Sequence, residues 1–218
     1  MLHAFPRRLQ RLTVASMTPL EPTADAVAMR QLRHQTKNAL QRILARVAAA
    51  DLRLTPAGNV LADEIERSIF LSARISDALF GFTAAPGPLD RRLATLSDAM
   101  VALLADQEQT IRTEICVTGS CPEAMEATVI QVAHEMLGNA IKHGMHMRLV
   151  GRIVIQLLAQ SDGAVTLLVS DDGWGFGDTG EGDGLPIMRS LAERHGGTVA
   201  LSRKDGWTVG RLHLPGPA

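Results

Sequence analysis

The segment Arg33-His34-Gln35-Thr36-Lys37-Asn38-Ala39-Leu40-Gln41 gathers a nucleophile and several polar helpers within two helical turns. At 100° per residue, Lys37, Asn38 and Gln41 fall at about 300°, 40° and 340° relative to His34, whereas Leu32, Leu40, Ile43 and Val47 fall at about 160° to 240°. One face of this helix is therefore chemical and the other packs. A ring nitrogen of His34 can take a phosphoryl group, with Lys37 and Asn38 near enough to hold its oxygens or to orient a water. A polar stripe on its own usually means only a solvated face, so the reading depends on what lies further along the chain.

A second constellation begins a hundred residues later at His134-Glu135-Met136-Leu137-Gly138-Asn139-Ala140-Ile141-Lys142-His143-Gly144. Glu135, Asn139, Lys142 and His143 stand at i, i+4, i+7 and i+8, which puts all four on one helical face. A carboxylate and an amide oxygen so placed can hold Mg²⁺ and its waters, and a lysine can meet phosphates. Ser170-Asp171-Asp172-Gly173-Trp174-Gly175-Phe176 then sets a carboxylate at a strand end before a glycine turn. Asp171 can accept a hydrogen bond from an exocyclic amine such as that of adenine. Finally, Gly182-Asp183-Gly184-Leu185 leads into a helix whose N-terminus favours anions.

The elements that must position these groups follow from periodicity and turn chemistry. Residues 1–21 read as a tail and residues 22–83 as a helical hairpin, its first helix running from about Pro22 to Ala50. Its second helix is opened by Thr55-Pro56 as N-cap and N1 and closed by Gly81. Leu32, Leu40, Ile43 and Val47 forgo roughly 1.5–3 kcal/mol each if left in water. A second hairpin from another copy would cover them, giving a four-helix bundle in a homodimer. Ala84-Ala85-Pro86-Gly87-Pro88 reads as a linker, and residues 89–218 as a second domain.

Within that domain the expected order is helix 92–107, strand 110–117, helix 123–143, strands 152–160 and 164–170, helix 185–195, and strands 198–202 and 208–214. Ser161-Asp162-Gly163 and Lys204-Asp205-Gly206 serve as hairpin turns. The fold class expected is α+β: a helical hairpin followed by a two-layer sandwich with a mixed, mostly antiparallel sheet.

Composition narrows the function classes. The chain has 218 residues, 46% hydrophobic and 21% charged, with a net charge of −1. Acidic and basic residues are mixed, so no partner of nucleic acid or membrane surface is expected. No run approaches the ~20 apolar residues that span a bilayer, and Met1 to Met17 lacks the apolar centre of a secretory signal. A cytoplasmic location is the expectation, with any signal reaching the chain through a separate sensor protein. Cys116 and Cys121 have no metal-ligand partners at useful spacing. His3, His146, His195 and His213 are expected in surface or capping roles, and Trp207 in packing. Trp174 either packs beneath a nucleotide or covers its turn.

Together, in this order, the motifs are specific. Glu135 to His143 resembles the N box, Asp171 to Gly175 the D-x-G-x-G box, and Gly182 to Leu185 the G-x-G-L box of the Bergerat-type (GHKL) ATPases, a group that includes histidine kinases, gyrase and certain chaperones. The segment His34-x-x-Lys37-Asn38-x-Leu40-Gln41 is similar to the phosphoacceptor segment of the second HisKA class and of the related HWE histidine kinases, and His134 before Glu135 is a further HWE-like feature. The resemblance runs from about residue 25 to 215.

It implies a two-component histidine kinase that takes the γ-phosphate of ATP-Mg²⁺ onto His34 and passes it to an aspartate of a response regulator receiver domain. In that scheme His34, Lys37, Asn38 and Glu135 are catalytic, and Glu135 and Asn139 serve the metal. Asn139, Lys142, His143, Asp171, Gly173, Gly175, Gly182, Gly184 and Leu185 bind the nucleotide. The chain departs from the family at Gln35, where arginine is usual, at Val169-Ser170-Asp171, where a W-x-E signature stands in the HWE group, and in the short Phe176–Glu181 connection. An amide pair, Gln35 and Asn38, also suggests a regulator phosphatase activity. Two other readings are a histidine phosphotransferase with a vestigial ATPase domain and a non-catalytic binding module of the anti-sigma type.

Overall fold

The computed structural model describes residues 38, 40–48, 54–81, 87–175 and 184–217. The expected tail and most of the first hairpin helix lie outside these residues. Residues 40–48 are helical, with Val47 buried and Ile43 exposed.

Helix α1 (Pro56–Phe80) has the termini its sequence encodes: Thr55 Oγ1 accepts from the Gly58 N–H at 3.0 Å, and Gly81, at φ 63°, donates its N–H to the Asp77 carbonyl at 2.7 Å. Its Leu71, Ile75 and Ala78 enter the same core as α2 (Leu89–Leu104), so one core runs across the expected linker at 84–88. Arg92 of α2 reinforces that junction. This buried side chain donates Nε to the Ala78 carbonyl at 3.0 Å and Nη2 to the Leu79 carbonyl at 3.2 Å, satisfying acceptors that a helix end leaves open. Its Nη1 pairs with Glu126 Oε2 at 3.2 Å.

After α2 come β1 (Thr110–Thr118), α3 (Glu123–Asn139) with a π-helical turn at Ala140–Gly144, β2 (Val150–Ala159), β3 (Val165–Asp171), α4 (Gly184–Glu193), β4 (Thr198–Lys204) and β5 (Trp207–Leu214). The sheet order is β1-β2-β3-β5-β4, with β1 parallel to β2 and every other pair antiparallel. This is the mixed α+β sheet expected from the sequence. Alternation sends Ile153, Ile155, Leu157, Val165, Leu167, Val169, Leu212 and Leu214 to the face covered by the helices. The β4–β5 turn has Asp205 at φ 52° and Gly206 at φ 84°, the backbone pattern that matches strand twist in a two-residue loop.

Two helix expectations are corrected: α2 runs over Leu89–Leu104 rather than 92–107, and the long helix after β1 changes character near its end. The helix expected over 123–143 stays α-helical only to Asn139 and then widens, with the Met145 N–H reaching back to the Ala140 carbonyl at 2.9 Å. The wider turn carries Gly144 against Gly173, a contact that local propensity does not encode.

Ile43, Leu54, Val60, Leu61 and Phe70 stay exposed on the helices that precede the sheet domain. Among the described residues, no helix is long and apolar enough to cross a membrane.

The Arg92 junction yields a stability test. Arg92→Met leaves two carbonyls and the Glu126 carboxylate without their partner and should lower unfolding free energy by about 3 kcal/mol. Glu126→Gln, which keeps an acceptor, should cost about 1 kcal/mol. Urea denaturation followed by far-ultraviolet circular dichroism measures both; equal midpoints for wild type and Arg92→Met would remove the junction from the stability of the fold.

Candidate functional site

A cleft opens where the C-terminal end of α3 meets the ends of β3, β4 and β5. Met136, Asn139, Ala140, His143 and Gly144 form one wall, Val169, Asp171 and Gly175 a second, and Leu201, Thr208 and Gly210 the floor. The buried flank of α3, including Val129, Ile130, Val132, Ala133 and Leu137, fixes that helix against the core. Glu123 and Glu126 occupy its first turn, where carboxylates favour the helix dipole.

The π turn matters here because such turns change the direction of side chains within a helix. Ala140, Ile141 and Gly144 are buried, whereas Lys142 and His143 are exposed. Gly144 packs directly on the turn after β3: its carbonyl accepts the Trp174 N–H at 3.0 Å, and a Cβ on Gly173 would overlap the Gly144 backbone. Only glycine at 173 permits that approach.

Asp171 ends β3 beside this contact and is 5% exposed. Its Oδ1 accepts the Gly173 N–H at 3.0 Å. Burial pushes its carboxyl up to about 6, chiefly against the hydrogen bond from Gly173, with Asp172 adding to the rise and Arg148 and Arg203 opposing it. Directly across the β3–β5 register stands Thr208. Its buried Oγ1 has no hydrogen-bond partner, one of two such side-chain atoms among the described residues. An orphaned hydroxyl in an open cleft fits a polar ligand group that arrives from outside.

The start of α4 lies over the other wall. A Cβ on Gly184 would stand 3.2 Å from Glu135 Oε2 and 3.7 Å from Asn139 Nδ2, so this helix N-terminus faces both residues. Glu135 also contacts His134, Oε1 to Nδ1 at 3.1 Å. A carboxylate, an amide and a helix N-terminus form a suitable setting for a metal-bound polyphosphate. Leu185 packs against the core beside them.

The structure thus brings together Glu135, Asn139, His143, Asp171, Gly173, Gly175 and Gly184, and leaves Lys142 exposed nearby. His34, Gln35, Lys37 and Gly182 lie outside the described residues, and Asn38 is exposed. Trp174 is 67% exposed, with the Arg148 guanidinium 5.9 Å from its ring centre, so it does not lie beneath the cleft. His195 and His213 bond to Thr128 and Thr166 at 3.0 and 3.3 Å. Both cysteines are free thiols, and burial pushes Cys121 up to about 11. Among the described residues, no group of three or more His, Cys, Asp or Glu side chains is placed to hold a metal. Thr208 belongs to none of the sequence motifs. Its signal was present, as a hydroxyl on the inward side of a strand whose other inward residues include Leu212 and Leu214.

Residues 124–218 match the family model described as histidine kinase-, DNA gyrase B-, and HSP90-like ATPase. The chain is 34% identical over 85 residues to the nitrate/nitrite sensor protein NarQ of Escherichia coli, covering 38% of this chain and 14% of that protein. It is 33% identical over 104 residues to the sensor histidine kinase LnrJ of Bacillus subtilis, covering 45% of this chain and 25% of that protein. Both matches therefore span only a minor part of those relatives' length.

Among solved structures, the histidine kinase domain of the Erythrobacter litoralis EL346 blue-light activated histidine kinase has a TM-score of 0.56 at 18% identity, covering 88% of this chain and 94% of that one. Full-length ShkA in complex with AMPPNP gives 0.50 at 21% identity, covering 87% and 45%. These two likenesses concern the fold. The sequence matches go further: residues 124–218 are an ATPase domain of the histidine kinase, DNA gyrase B and HSP90 type, in a chain homologous to sensor histidine kinases.

Proposed function

We propose that this chain is the core of a dimeric protein-histidine kinase related to the second HisKA class and the HWE group, and that it binds ATP with Mg²⁺ in the cleft. The observation that carries the nucleotide reading is the pairing of buried Asp171 with the unpartnered Thr208 hydroxyl on the cleft floor. Asp171 accepts the exocyclic amine of adenine, and Thr208 Oγ1 bonds to the same ring edge. Gly173 and Gly175 let the turn close on the base. Asn139 and Glu135 hold the metal or its waters, while Lys142, His143, Gly182, Gly184 and Leu185 with the α4 N-terminus receive the phosphates. Bound Mg²⁺-ATP supplies an electrophilic γ-phosphorus with its charge partly neutralised.

A ring nitrogen of His34 attacks that phosphorus, the bond to the β-phosphate oxygen breaks, and ADP leaves. Glu135 accepts the imidazole proton or orients a metal-bound water, and Lys37 and Asn38 hold phosphoryl oxygens. The phosphoryl group then passes to an aspartate of a response regulator. The likeness to the EL346 kinase domain over 88% of the chain supports a reading that includes the helices preceding the sheet domain. The similarity to NarQ, a nitrate/nitrite sensor protein, and to LnrJ, a sensor histidine kinase, supports a signalling role. Gln35 and Asn38 add a phosphatase activity toward the regulator, through an amide that orients water.

Incubation with γ-labelled ATP and Mg²⁺ should label His34 with an acid-labile, base-stable phosphate that His34→Ala abolishes. Tight ATP binding without any label, together with phosphate transfer to His34 from a phosphorylated receiver, would instead support a phosphotransferase.

The adenine contact makes a pH test. An amine donor favours the ionised carboxylate, so affinity should be full above the Asp171 midpoint near 6 and fall as pH drops through it. At pH 5 it should be about tenfold weaker than at pH 7.5. Calorimetry across that range should find Asp171→Asn weakened and flat with pH; a wild type equally flat would remove Asp171 from the adenine site.

The exposed Ile43, Val60, Leu61 and Phe70 make the third expectation, that the chain dimerises through the hairpin helices. Sedimentation should give a dimer at tens of micromolar, shifted toward monomer by Phe70→Glu with Leu61→Glu.

A further inference from the structure

The turn that carries Asp171 is gripped from opposite sides by two arginines outside every motif read from the sequence. Arg148, in the loop between the π turn and β2, donates Nη1 to the Asp172 carbonyl and sets Nη2 3.5 Å from Asp172 Oδ2. Its own loop is fixed in turn: Gln109 Nε2 donates to the Met145 and Arg148 carbonyls at 2.7 and 3.0 Å. From the other side, Arg203 at the end of edge strand β4 donates Nη1 to the Trp174 carbonyl. A Cβ on Gly175, at φ +85°, would run into that guanidinium. Arg203 is also the cross-strand partner of Thr208.

We propose that Arg148 and Arg203 are positioning residues for nucleotide binding: they clamp the Asp171–Gly175 turn by its carbonyls and hold Asp171 at the adenine edge. This deepens the nucleotide reading and rests on it. Each guanidinium acts through the backbone it grips and through its charge. Besides these cations, the charged and titratable neighbours of the Asp171 carboxyl among the described residues are Asp172 on its own turn and His143 on the cleft wall. Removing either arginine loosens the turn and withdraws a charge that favours the carboxylate. The consequence is weaker binding together with an acid limb moved to higher pH.

ATP binding to the full chain, measured by calorimetry from pH 5 to 8, tests this. Arg148→Ala and Arg203→Ala should each weaken binding at pH 7 by about tenfold and raise the acid midpoint. Arg203→Lys, which keeps the charge and a donor, should restore the midpoint and most of the affinity. Arg203→Gln keeps a donor without the charge and should show the raised midpoint even if the alanine variant fails to fold. Arg211→Ala, exposed on the opposite face of β5, should behave as wild type. Loss of affinity with an unmoved midpoint would make the arginines merely structural and overturn the proposal, as would variants that match wild type while wild type binds ATP. A wild type that binds no ATP at any pH overturns the nucleotide reading, and the clamp with it.

Discussion

The site depends on one backbone contact, the approach of Gly144 to Gly173. It joins the end of a buried helix to the end of a central strand, and the cleft lies in the angle between them. The Trp174 N–H bonds to the Gly144 carbonyl at 3.0 Å, leaving no room for a side chain at 173. The π turn before Gly144 belongs to the same constraint, because the extra width of that turn lets the chain reach Gly173 while α3 keeps its own register in the core.

Within that frame, the polar groups are held at some energetic expense. Asp171 is buried enough that its carboxyl titrates near 6, and Thr208 beside it has a hydroxyl with no partner. Either group in a closed core would be a defect of about 1–3 kcal/mol. Here both line an open cleft, where a polar group arriving from outside could meet them. On the opposite wall Glu135 and Asn139 are half-buried and face the start of α4 at Gly184.

Helix α1 and the sheet domain meet through a different kind of joint. Arg92 occupies the open carbonyls at the end of α1 and carries its charge to Glu126 at the start of α3. Helix α1 is therefore tied to the helix whose far end bears Glu135 and Asn139. The apolar residues left exposed upstream, Phe70 and Leu61 among them, have no cover within the described residues of one chain.

Local chemistry fixed much of this in advance. Thr55-Pro56 and Gly81 bound α1, Asp205-Gly206 makes a two-residue hairpin turn, and alternation in β2, β3 and β5 names their inward faces, because caps, turns and pleats act over a few neighbouring residues. The boundaries of α2, at 89–104 rather than 92–107, show the limit of periodicity where Pro88 and Leu89 begin a helix without a side-chain cap. The N box, the Asp171 turn and the glycine pair before α4 were legible as motifs because each is contiguous. Tertiary structure alone decided that Thr208 faces Asp171, that Arg148 and Arg203 grip the same turn, that Arg92 seals α1, and that the helix widens after Asn139. These relations join residues tens of positions apart, and only strand register and helix packing set such distances.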